Sequence, residues 1–130
     1  MFGIIYPQAP DITYQVHDQG HTWLLTSIFL QRNTLSPTAM ERMESIDNSC
    51  SLICHLIDQE KSRGIPLDRI VIGGFGMGGN LAMHVGFRYL TNIVGVFAHS
   101  SILSTRSTVF ETIRKERELN KDQKYPALFM

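Results

Sequence analysis

The stretch Arg69-Ile70-Val71-Ile72-Gly73-Gly74-Phe75-Gly76-Met77-Gly78-Gly79-Asn80-Leu81-Ala82-Met83-His84 decides the fold. Its first four residues are rich in β-branched apolar side chains, which suit a buried strand. Seven residues, five of them glycine, then make a turn at once. A helical pattern follows from about Asn80 to Leu90, and Thr91-Asn92 ends it. Strand, glycine turn, helix is the sequence signature of a site at the carboxyl edge of a parallel sheet.

Downstream, Ile93-Val94-Gly95-Val96-Phe97-Ala98 reads as the next strand and runs into the polar turn His99-Ser100-Ser101. Ser107 opens a further helix that passes Glu111 and Arg114 and reaches about Leu119. Ala127-Leu128-Phe129-Met130 begins a last apolar strand. Upstream, Met40, Met43, Ile46, Cys50, Ile53, Cys54 and Ile57 form one stripe at helical spacing, with Glu41, Glu44, Asp47, Asp58 and Glu60 mostly on the other side. Ser36-Pro37 has the form of an N-cap with proline in the first turn, and Gly64 with Pro66 stops the helix. Ile4-Ile5-Tyr6 reads as a short buried strand halted by Pro7 and Pro10. Residues 8–37 read as loop-rich, with apolar patches at Trp23-Leu24-Leu25 and Ile28-Phe29-Leu30. The alternation predicts an α/β domain with a parallel sheet and helices on both faces.

The chain has 130 residues, enough for one domain, with twelve Lys+Arg balanced by twelve Asp+Glu. A neutral chain lacks the basic excess of a nucleic-acid binder or of a polybasic membrane anchor. A hydrophobic content of 43% opposes disorder. Charged residues are only 18%, against roughly 25% in soluble domains, so part of the surface is expected to be covered by something else. No apolar run is long enough to span a bilayer, and Met1-Phe2-Gly3-Ile4 has no basic leader. Cys50 and Cys54, four apart on the apolar stripe, suit a reduced thiol pair in a core better than a disulfide framework or a zinc site. The expectation is a soluble cytoplasmic protein with no metal and no cofactor.

Two motifs compete for the glycine turn. Gly74, Gly76 and Gly79 match the dinucleotide fingerprint G-x-G-x-x-G, which needs an acid at the end of the next strand to hold a ribose. Ala98, His99 and Ser100 stand there instead, and no Asp or Glu occurs between Asp68 and Glu111. Gly74 and Gly78 also flank position 76 as in the nucleophile elbow G-x-S-x-G. That motif is complete except that Gly76 replaces the serine.

The elbow region resembles the acyl-protein thioesterase and phospholipase/carboxylesterase family of α/β-hydrolases. Ile5-Tyr6-Pro7 with Ala9-Pro10, Trp23, Glu44-Ser45-Ile46-Asp47, Leu56-Ile57-Asp58 and Gly95-Val96-Phe97-Ala98 before Ser100-Ser101 agree in order and spacing. The resemblance runs from about Ile4 to Leu128. It implies an incomplete α/β-hydrolase-type parallel sheet flanked by helices, with residues 1–130 as the central fragment of a single domain. The implied activity is hydrolysis of carboxylic esters and of S-acyl thioesters such as palmitoyl cysteine, with acylated proteins or small esters as substrates and no metal. The triad mechanism uses a serine nucleophile, a histidine base and an acid.

Carried over position by position, the resemblance puts Gly76 where the nucleophile belongs and gives the backbone N–H of Met77 one oxyanion role. Trp23 and Phe75 are its candidate substrate contacts. The second oxyanion donor, the acid and the histidine fall outside these 130 residues. The chain as written is therefore expected to be inactive. The alternatives are a non-catalytic module that binds an acyl chain or a protein, and a nucleotide-binding protein using Gly74–Gly79. Of the five histidines, His17, His21, His55, His84 and His99, none matches the family base. His55 and His84 read as surface or boundary residues of helices. His99, at a strand end, is the one placed to act as an improvised base. Ser100-Ser101 reads as an ordinary turn, and Arg114 to Glu118 as a solvated helix face of mixed sign.

Overall fold

This computed structural model describes residues 3–15, 18–21 and 42–130. Asp11–Gln15 (β1) and Asp18–His21 (β2) form an antiparallel hairpin, with Asp11 opposite His21 and an irregularity between Thr13 and Gln15. This corrects the loop-rich reading of the segment. The alternation Ile12, Tyr14, Val16 carries a strand signal that the two prolines upstream obscure. Ile4, Ile5 and Tyr6 belong to neither sheet and are 72%, 53% and 86% exposed, so the buried-strand reading is wrong. A strand exists only where a ladder partner takes its backbone groups, and three apolar residues do not supply one. Ser36-Pro37, the two apolar patches, His17 and Trp23 lie outside the described residues.

Helix α1 spans Met43–Ser62. Arg42 before it is extended, at φ −90° and ψ 96°, so the helix does not run on unbroken from Pro37. Ile46, Cys50 and Ile57 of the stripe are buried, with Met43, Ile53 and Cys54 half-buried. At its end Gly64 takes φ +93°. The N–H of Gly64 donates to the Lys61 carbonyl at 2.9 Å and that of Ile65 to the Glu60 carbonyl at 3.1 Å. This pair of bonds satisfies carbonyls that a helix end leaves open.

A single 3₁₀ turn, Leu67–Arg69, leads to β3 at Val71–Phe75. Helix α2 follows at Met77–His84 and continues as a π turn through Val85–Tyr89. Strand β4 is Gly95–His99, α3 is Thr108–Leu119 and β5 is Ala127–Phe129. Ser107 caps α3, its hydroxyl accepting the Val109 N–H at 3.3 Å. The three strands form a parallel sheet in the order β3-β4-β5, with Phe75 paired to His99 and Phe97 to Phe129. This is an incomplete α/β fold with flanking helices.

Side chains alternate across a strand, so the register sorts the sheet into two faces. On one face Val96 and Ala98 pack with Ala82, Met83 and Phe87 of the α2 segment and Val109 of α3. Helix α1 stacks on top, where Ile46, Cys50 and Ile57 meet Leu81 and Val85. The larger of these side chains, such as Ile46, Leu81 and Val96, contribute about 1.5–3 kcal/mol each on burial. The opposite face shows Val71, Phe75, Phe97 and Phe129 exposed. Among the described residues all three helices therefore cover the same face, where helices on both were expected. Strand alternation demands that a face be covered, and it does not say by which element.

Candidate functional site

The site is the crossover from β3 to α2. Gly76 sits between them at φ +54° and ψ −118°. For a residue with a side chain, that left-handed φ is strained, whereas glycine adopts it freely. A Cβ built on Gly76 meets nothing within 4 Å. The position is sterically open, and only its backbone conformation resists substitution.

The helix begins at Met77, three residues before the expected start at Asn80. Gly78 and Gly79 are poor helix formers, which explains the later reading. Close packing puts them in the first turn. A Cβ on Gly74 would lie 2.4 Å from the Gly78 carbonyl carbon, and one on Gly79 would lie 2.7 Å from the Gly74 oxygen. Strand and helix cross at backbone contact distance, and any larger residue would force them apart. The Asn80 N–H closes the first helical turn on the Gly76 carbonyl at 3.1 Å. Met77 is half-buried, with its side chain in the cluster under α1 and its backbone in that first turn.

The neighbouring strand end is tied to the turn at several points. The Gly76 N–H donates to the His99 carbonyl at 2.9 Å. The Asn80 Nδ2 donates to the Ile102 carbonyl at 2.6 Å, while its Oδ1 is buried without a hydrogen-bond partner among the described residues. The Ser101 hydroxyl donates to the His99 carbonyl at 3.0 Å. A Cβ on Gly79 would come within 2.0 Å of that hydroxyl oxygen. Ser101 and Asn80 are thus structural partners of the turn that sequence reading passed over. The signal that could have found Ser101 is the need for glycine at position 79.

Phe75 is 71% exposed at the end of β3. Its ring centroid lies 5.6 Å from that of His99, which stacks on Phe97 at 6.2 Å with planes 2° apart. The exposed edge of the site is therefore aromatic. His99 is exposed, and its carbonyl joins it to the glycine turn. The other histidines are elsewhere. His55 is exposed on α1, within 3.1 Å of Gln59. His84 is fully buried in α2, which corrects the surface reading: it lies on the inward side of a helix packed by both α1 and the sheet. Cys50 is buried and its thiol is pushed up to about 12, because burial disfavours the thiolate. Among the described residues no three His, Cys, Asp or Glu side chains converge as a metal site would require.

The end of β4, where a dinucleotide site carries a carboxylate, holds His99, and Ser100 follows it at φ +49°. Among the described residues no helix is long and apolar enough to cross a membrane.

A sequence model described as Phospholipase/Carboxylesterase matches residues 2–122. Lysophospholipase-like protein 1 of Mus musculus is 38% identical over 112 residues, which is 86% of this chain and 45% of that protein. Acyl-protein thioesterase 1 of Schizosaccharomyces pombe is 31% identical over 103 residues, 79% of this chain and 44% of that protein. Acyl-protein thioesterase 1 of Neurospora crassa is 40% identical over 67 residues, 52% of this chain and 27% of that protein. The chain spans less than half the length of these relatives.

Proposed function

The chain belongs to the phospholipase/carboxylesterase family, and on that premise we propose that it presents a nucleophile elbow without a nucleophile, one that holds a carboxylic ester or S-acyl thioester and does not cleave it through residue 76. The observation that carries this reading is Gly76 at φ +54° and ψ −118° between β3 and α2, with open space where a side chain would stand. A covalent acyl intermediate needs an oxygen or sulfur on that residue, and glycine has neither. The rest of the turn keeps the close glycine packing of an elbow.

In this reading the backbone N–H of Met77, at the start of α2, donates to the ester carbonyl oxygen. Phe75 contributes an exposed apolar ring beside it, and Trp23 serves as a second substrate contact. The acyl group of a modified protein or a small ester is the occupant. No metal and no cofactor takes part, and residues 1–130 act as the elbow-bearing part of one α/β-hydrolase domain. Binding of an acyl group also fits the aromatic edge formed by Phe75, Phe97 and His99.

The test is titration of the 130-residue chain with a non-hydrolysable palmitoyl thioether, alongside assays on a short-chain nitrophenyl ester and a palmitoyl thioester. Saturable binding that weakens in Phe75→Ala, without turnover, is the expected result. Turnover by the unaltered chain would overturn the assignment of Gly76, and absence of saturable binding would remove the holding role.

A further inference from the structure

The helix that carries the elbow widens into a π turn at Val85–Tyr89, closed by the Leu90 N–H on the Val85 carbonyl at 2.9 Å. Such turns are rare and need a reason, since the α form is the default for the same residues. Two consecutive side chains of this turn meet one atom of another helix. Arg88 Nη2 donates to Asp47 Oδ1 at 3.0 Å, and the Tyr89 hydroxyl donates to the same Oδ1 at 2.7 Å. In an α-helix consecutive side chains leave the axis about 100° apart, which spreads them over different neighbours. A wider turn reduces that angle and lets both reach one carboxylate.

The pair is also fastened internally. The Arg88 guanidinium lies 4.9 Å from the centre of the Tyr89 ring, and its Nη1 lies 3.4 Å from His84 Nδ1. The Arg88 side chain is 12% exposed and the Asp47 side chain 46%, so the ion pair is shielded from water on the Arg88 side only. We propose that Asp47 of α1 is a positioning residue that selects the π form of Val85–Tyr89, holding both Arg88 and Tyr89 on one carboxylate oxygen. The consequence reaches β4. The π turn sets the phase of Leu90, whose carbonyl accepts the Ile93 N–H at 3.3 Å just before the strand begins. A continuous α-helix would rotate that exit by one residue.

The competing explanation is packing at Gly86, where a Cβ would lie 2.4 Å from Val96 Cγ2. It holds the turn against the sheet without reference to Asp47. Through-hydrogen-bond couplings in the isotope-labelled 130-residue chain separate the two, because they identify the carbonyl that accepts the Leu90 N–H. In Asp47→Ala the acceptor is expected to change from Val85 to Gly86, and in Asp47→Glu to remain Val85. Should Asp47→Ala not fold, the double variant Arg88→Met with Tyr89→Phe removes both partners and is expected to give the same change. A Leu90 to Val85 coupling retained in the variants that lack the contact would overturn the proposal.

Discussion

Gly76 and Ser100 occupy matching places in the sheet: each directly follows one member of the Phe75–His99 pair, and both have positive φ, 54° and 49°. The two neighbouring strands are each followed by a residue of positive φ, one of them the glycine suited to it and the other a serine. The Gly76 N–H bond to the His99 carbonyl holds the two turns together.

Substitution at these two places should therefore have opposite signs. Gly76→Ser is expected to lower stability by about 1–3 kcal/mol from backbone strain alone, since the site is open. Ser100→Gly is expected to raise it by about 1 kcal/mol, as the left-handed penalty is relieved. Urea unfolding of both variants reads this directly, and a loss in Ser100→Gly would contradict it. Gly76→Ser in these 130 residues should also fail to react with a fluorophosphonate probe. Labelling of the new serine would show that the chain itself supplies a base, with His99 the first candidate.

The contact between position 79 and Ser101 is expected to show as coupling. Gly79→Ala should cost on the order of 1–3 kcal/mol through overpacking. Adding Ser101→Gly removes the hydroxyl at 2.0 Å but leaves the Gly74 oxygen at 2.7 Å, so rescue should be partial. A double-mutant cycle checks it, and simple additivity would sink the argument.

Alkaline pH should destabilise the chain through Cys50 and Tyr89. Burial raises Cys50 from an ordinary 9.0 to about 12. Burial, followed by the hydrogen bond to Asp47, raises Tyr89 from 10.0 to about 12. Folded values above unfolded ones mean that this stability is fully present below pH 9 and is lost as pH rises toward 12. Denaturation midpoints measured from pH 8 to 11.5 should fall, and Cys50→Ala with Tyr89→Phe should flatten the slope. An unchanged slope in that double variant would assign the fall to other groups.

Nucleotide should not bind. A dinucleotide site needs a carboxylate at the end of β4 to hold the ribose, and that strand ends at His99, with Ser100 following it. Calorimetric titration with NAD and NADP should show no heat of stoichiometric binding. A micromolar site would revive the fingerprint reading of Gly74, Gly76 and Gly79.

The sequence by itself determined the order of elements from α1 onward, the buried stripe of α1, its end at Gly64, the cap at Ser107 and the glycine turn between β3 and α2. These are local facts: periodicity, caps and left-handed turns are written in residues a few positions apart. Tertiary structure decided what local patterns cannot hold. It started α2 at Met77, because backbone contact with Gly74 outweighs the poor propensity of Gly78 and Gly79. It buried His84, left Ile4 to Tyr6 outside both sheets, and placed all three described helices on one face. It also brought Asp47 to Arg88 and Tyr89 across 41 and 42 residues. A contact over that distance leaves no period in the chain. It exists only once two helices pack, and the packing then selects a π turn that propensity alone would make α.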